Sequence, residues 1–155
     1  MAQRAKALRI AEKVREEAEK ELGPEFDEKE CLGGYCWKFS KELAKRLREA
    51  GIPARQVLGI WHDSSEEDDT RELFESRLVT KGQRLQDLWE AGWDHAWVEL
   101  ADGTVVDITG DQYFDDRGYR YPAVQMIPSH DLFDRPRYWP WRKGRIQVKS
   151  HRRQR

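Results

Sequence analysis

Apolar residues recur three and four apart at the start of the chain. Leu8, Ala11, Val14 (with Arg15 beside it), Ala18 and Leu22 alternate with charged residues. That period predicts an amphipathic helix over 3–22. Gly23-Pro24 ends it, because glycine caps a helix and proline cannot continue one. Its apolar stripe is thin, so the helix is expected at the edge of a core or against a partner. A second helix is predicted over about 35–50, preceded by Gly33-Gly34. Phe39, Leu43, Leu47 and Ala50 share one face, Cys36 stands at its start, Gly51 takes the C-terminal cap position and Pro53 follows. Ala54 to Trp61 reads as a strand, although Gly59 weakens the pattern. The clearest hairpin joins 95–100 to 104–109 through Ala101-Asp102-Gly103, where Gly103 suits the left-handed position of a three-residue loop. Tyr121 to Ile127 suggests a further short strand, and Trp139-Pro140-Trp141 an extended segment docked on the domain.

Charge changes this picture in two places. Residues 62–76 hold seven acidic residues and one basic one, which predicts a solvated loop. It leads into a helix around 70–90 carrying Leu73, Phe74, Leu78, Leu85, Leu88 and Trp89, with Gly82 as a point of division. From Arg135 to Arg155 there are nine Lys or Arg and no Asp or Glu. Over the whole chain 28 basic residues balance 29 acidic ones, which excludes a globally basic nucleic-acid binder and an acidic solvating chain. At 155 residues, with roughly 150 expected per domain, one domain is predicted. We place it at 1–141, with an acidic insert at 62–94 and a basic tail at 142–155. No run of about 18 apolar residues offers a membrane span, and residues 1–30 lack the apolar core of a signal peptide. The expected compartment is the cytoplasm.

Cys36 is the first candidate for chemistry. A thiol at a helix N-terminus meets the positive end of the macrodipole and the unpaired N–H groups of the first turn. Both favour thiolate, the reactive form, and the same N–H groups can hold an oxyanion. Gly33 and Gly34 would let a substrate backbone come close. The plainer account is a buried, inert cysteine on a helix face. His95 opens the first hairpin strand. With a three-residue loop, paired positions sum to 204, so Trp97 faces Asp107 and His95 faces Thr109. His95 and Asp107 are then diagonal neighbours on one face, roughly 7–8 Å apart at the backbone. A two-residue loop would put them on opposite faces. In the first register Asp107 can orient the imidazole, and His95 can take the proton of Cys36.

Cysteine on a helix, histidine on a strand and aspartate on the next strand is a recognisable order. Gly34-Tyr35-Cys36-Trp37-Lys38-Phe39-Ser40, followed by Leu47 to Arg55, resembles the nucleophile segment of the transglutaminase-like (papain-like) superfamily. His95-Ala96-Trp97-Val98-Glu99-Leu100 resembles its histidine strand, and Val105-Val106-Asp107-Ile108-Thr109 its aspartate strand. Together these segments cover about a sixth of the chain. The resemblance implies an α+β fold: a transglutaminase-like core with the cysteine-bearing helix packed on a small antiparallel sheet, here with an extra N-terminal helix. It also implies acyl transfer at amides through a thioester, with no cofactor. By motif match Cys36 is the nucleophile, His95 the general base and acid, and Asp107 the orienting residue. Papain-type proteases carry a glutamine shortly before the cysteine, where this chain has Lys29 and Glu30. The oxyanion donors must then come from the first-turn N–H at Trp37 and from a side chain elsewhere, Gln112 or Gln56. Trp97, with Gly33 and Gly34, is a candidate for the substrate approach.

Other signals are weaker. Cys31 and Cys36 lie five apart, which suits neither a redox pair nor half a zinc site, so no metal is expected. Asp107, Asp111, Asp115 and Asp116 read as a solvated loop, lacking an EF-hand pattern. His62, His130 and His151 have no matching partners in the sequence. The expected function is a cysteine-dependent peptidase, amidase or deamidase acting on a peptide or protein amide. One alternative keeps the fold as an inert protein-binding module. Another is nucleic-acid binding by basic residues interleaved with Tyr138, Trp139 and Trp141; it is not favoured, because the rings also suit a core. The oligomeric state has no sequence signal.

Overall fold

The computed structural model describes residues 2–23, 35–61, 95–115, 117–142 and 145–146. The expected helix around 70–90, Cys31, Gly33, Gly34 and the end of the basic tail lie outside them. The elements are α1 (Ala2–Leu22), α2 (Cys36–Glu49), β1 (Ala54–Trp61), β2 (His95–Leu100), β3 (Val105–Asp107), β4 (Gln125–Ile127), β5 (Tyr138–Arg142) and β6 (Arg145–Ile146). Among the described residues, two helices with antiparallel strands make an α+β fold, as expected. Among the described residues no helix is long and apolar enough to cross a membrane. The chain divides into two compact units, Met1–Gln56 with Ala96–Ser129, and Val57–His95 with His130–Arg155.

The first unit is built on α1 and α2. The buried stripe of α1 is Ala7, Ala11, Val14, Ala18 and Leu22, with Ala7 taking the place expected of Leu8, which is only half-buried. Three of the five are alanines, and small side chains let helix axes approach closely. They join Phe39, Leu43, Ala44 and Leu47 of α2 and Val98, Leu100, Val106 and Ile108 in one core cluster. A thin stripe therefore does not leave α1 at the edge or waiting for a partner; it closes the core of its own unit. Gly51, at φ +82, ends α2 as expected, and Ile52 N–H returns to the Leu47 carbonyl at 2.9 Å.

β2 and β3 form the predicted hairpin. Val98 pairs with Val106 and Glu99 with Val105, so paired positions sum to 204. Gly103 takes φ +85, the left-handed position of the three-residue loop. The Asp102 carboxylate accepts the Thr104 N–H at 2.9 Å and Arg4 Nη2 at 3.0 Å. Beside the Thr104 hydroxyl, under its N–H and next to Arg4, the Asp102 carboxyl is lowered to about 2. β4 pairs antiparallel with β3, shorter than the sequence suggested and beginning only at Gln125.

In the second unit β5 lies between β1 and β6. The Trp-Pro-Trp segment is thus a full strand of the sheet and more than a docked extension. Pro140, which lacks an N–H for the ladder, sits opposite Gly59. Tyr138, Trp139 and Ile60 are buried. The rings of Tyr138 and Trp139 therefore belong to a core and are not displayed for stacking on bases. Pairing continues into 145–146, within the stretch the sequence reads as tail.

Candidate active site

Cys36 is the first residue of α2, and its side chain is buried at 3 % exposure and free of any disulfide. Tyr35 precedes it without a side-chain cap. A helix start of this kind directs the first-turn N–H groups toward the thiol's neighbourhood. The first turn is braced from β1. Gln56 Nε2 donates to the Trp37 carbonyl and to Ser40 Oγ, both at 2.8 Å, and Ser40 Oγ donates to the Trp37 carbonyl at 3.1 Å. Gln56, a candidate oxyanion donor by sequence, has its amide committed to the helix that carries the thiol. Trp37 itself is partly exposed, at 39 %.

Asp107 ends β3 and is 1 % exposed. Its Oδ1 accepts the Thr109 N–H at 2.9 Å and the Thr109 hydroxyl at 3.3 Å, an Asx-type turn that fixes one carboxylate oxygen. Gln112, the other candidate donor, has its Nε2 on the Thr109 carbonyl and Thr109 Oγ1, each at 3.0 Å. Between them Gly110 is required for space. A Cβ there would come within 2.8 Å of the Pro122 carbonyl oxygen. Continuing the β2–β3 register sets Trp97 opposite Asp107 (97 + 107 = 204). Trp97, the candidate for the substrate approach, is fully buried.

Asp111 departs from the sequence reading. Instead of lying in a solvated loop, it is buried in the middle of a short 3-10 turn, Gly110–Gln112, and bound by Arg15 of α1. Arg15 Nη1 and Nη2 reach the two Asp111 oxygens at 2.8 and 2.7 Å, and Nη1 also donates to the Ile108 carbonyl at 2.9 Å. Burial works against the guanidinium charge. Hydrogen bonds and attraction from Asp111 and Glu19 outweigh it and hold Arg15 above its ordinary range. Asp115 serves its own turn, accepting the Tyr119 and Arg117 N–H groups at 2.9 Å; these bonds, Tyr119 foremost, hold its carboxyl low. Among the described residues no three His, Cys, Asp or Glu side chains gather as a metal site would need. Sequence reasoning overlooked Arg15 and Asp111. The available signal was an arginine inside the buried arc of α1, where a charge needs a partner.

His95 stands in the second unit, at the first position of β2. It is completely buried, with its ring 6.1 Å from that of Tyr138 and inclined at 42°. Cys36 and Asp107 belong to the first unit.

No curated protein and no solved structure gives a significant match to this sequence. A family model does, over residues 1–119, a span that holds both described helices, the hairpin and the turn after Asp107. With more than half its length so matched, the chain belongs to the transglutaminase-like superfamily.

Proposed function

We propose that this chain is a cysteine-dependent amide hydrolase or acyl transferase. The Cys36 thiolate attacks the carbonyl carbon of a peptide or side-chain amide. His95 first takes the Sγ proton and then gives it to the leaving amine as the C–N bond breaks. First-turn N–H groups, Trp37 among them, hold the oxyanion of the tetrahedral intermediate. The product of this half-reaction is a thioester on Cys36. Water, activated by His95, then adds to it and releases the acid; an amine in place of water makes the reaction a transfer. Asp107 orients the imidazole and stabilises its charged form. Gln112 has a supporting part in this reading, holding Thr109 and through it Asp107.

The observation that carries the proposal is the β2–β3 register. Pairs that sum to 204 are the condition under which His95 and Asp107 become diagonal neighbours on one face. Membership of a superfamily rich in cysteine enzymes supports it further. One observation favours a second reading, a fold kept as an inert protein-binding module: Cys36 and His95 are both buried.

The pH–rate profile of iodoacetamide alkylation separates the two. Wild type is compared with Cys36→Ala, His95→Ala and Asp107→Asn. We expect Cys36 to react well below pH 7 and to lose that low-pH reactivity without His95. A Cys36 that titrates near the free thiol value of about 8.5 and ignores His95 refutes the enzyme and leaves the binding module.

A further inference from the structure

Arg15 is a charged group that the proposed chemistry leaves unused, yet it is 6 % exposed and its head is fully engaged. Nη1 holds the Ile108 carbonyl, and both terminal nitrogens hold the Asp111 carboxylate. Ile108 lies between Asp107 and Thr109 in the chain. Thr109 donates its N–H and its hydroxyl to Asp107 Oδ1, and Gln112 holds Thr109 from the other side. Arg15 therefore grips the turn at two points that bracket Thr109. Two further charged side chains meet this pair: Glu19 accepts Arg15 Nε at 2.8 Å, and Arg120 donates to the Asp111 carbonyl at 2.6 Å.

Adhesion alone does not account for such a pair. Apolar side chains would join α1 to the turn with no desolvation cost. What a bidentate guanidinium–carboxylate pair adds is direction, because its planar fork accepts one position and one orientation of the carboxylate. The fork is aimed at the segment that sets the Asp107 carboxylate.

We infer that Arg15, through Asp111 and the Ile108 carbonyl, is a positioning residue for Asp107, which makes α1 a structural part of the catalytic apparatus. The inference rests on the reading of Asp107 as the orienting member of the triad.

The test uses the full chain with Arg15→Gln, Arg15→Lys and Asp111→Asn, each studied at a temperature where thermal melts show it folded. The readout is the pH–rate profile of Cys36 alkylation, not stability. We expect the His95-dependent rate at pH 6 to fall by about tenfold or more in Arg15→Gln and Asp111→Asn, toward the level of Asp107→Asn. Arg15→Lys, which keeps the charge without the fork, should recover only part of it. A folded Arg15→Gln protein whose profile overlays wild type overturns the positioning role and leaves the triad standing. A wild-type profile indifferent to His95 overturns the triad, and the inference with it. If Arg15→Gln does not fold, Asp111→Asn decides, since it keeps the side-chain volume and a neutral acceptor.

Discussion

The two flanks of α1 carry ion pairs of nearly equal length and unequal consequence. On the outer flank, Glu17 meets Arg46 and Glu21 meets Lys38, each at 2.8 Å. On the inner flank, Arg15 meets Asp111 at 2.7 Å. The outer side chains are 29–57 % exposed, whereas those of Arg15 and Asp111 are 7 % and 12 %. Water and salt screen the outer pairs and solvate either partner when the other is lost. The inner pair has no such recourse. Removing one partner strands a charge in a medium that stabilises it poorly. The comparison teaches that distance does not rank these contacts. The environment of the charge does, and it also separates a contact that eases solubility from one that dictates geometry.

The comparison breaks first at the inner pair. Arg15→Met should destabilise the protein by about 3–5 kcal/mol in urea or thermal unfolding. Arg15→Met combined with Asp111→Leu should recover most of that loss, because no buried charge is left unpaired. Failure of the double variant to recover would mean that the fork, beyond the charge balance, holds the unit together. Next comes the rim of the hairpin loop. Asp102 lies lower when folded, at about 2, than the ordinary unfolded value near 3.9. Its contribution is therefore present above pH 4 and lost as pH falls from about 4 toward 2. Since its side chain is half exposed, that contribution should not exceed about 1 kcal/mol after screening. Stability curves of wild type and Asp102→Asn should converge as pH falls through this window. The smallest effect belongs to the outer flank. Arg46→Ala should lower Tm by about 2 °C or less, and by less again in high salt. A drop comparable to that of Arg15→Met would erase the distinction between the flanks.

How far the sequence could be read follows the range of the forces involved. Both described helices and the hairpin were legible because their signals are local. The 3.6-residue period, Gly51 after α2, and Gly103 in the loop each act within a few residues. The hairpin register was legible for the same reason, since loop length determines it. Cys36 and Asp107 were legible as positions in that local frame. Arg15 and Asp111 were not, because 96 residues separate them and each alone suits a solvated surface. Gln112 was read as a donor to substrate from its residue type, while its amide bonds to Thr109 depend on the turn around Gly110. Trp97 was read as a candidate for the substrate approach, and its burial depends on the covering of both faces of β2.

By itself, then, the sequence determined where the described helices begin and end, which hairpin forms, and in what order the cysteine, histidine and aspartate occur. Tertiary structure alone decided that α1 belongs to the core, that Trp-Pro-Trp becomes an interior strand, and which glutamines brace the site. It alone decided that the Asp107 turn is held by a charge from the far end of the chain. Backbone propensity and turn geometry act over a few residues, whereas the worth of a charge or an amide depends on what surrounds it after folding.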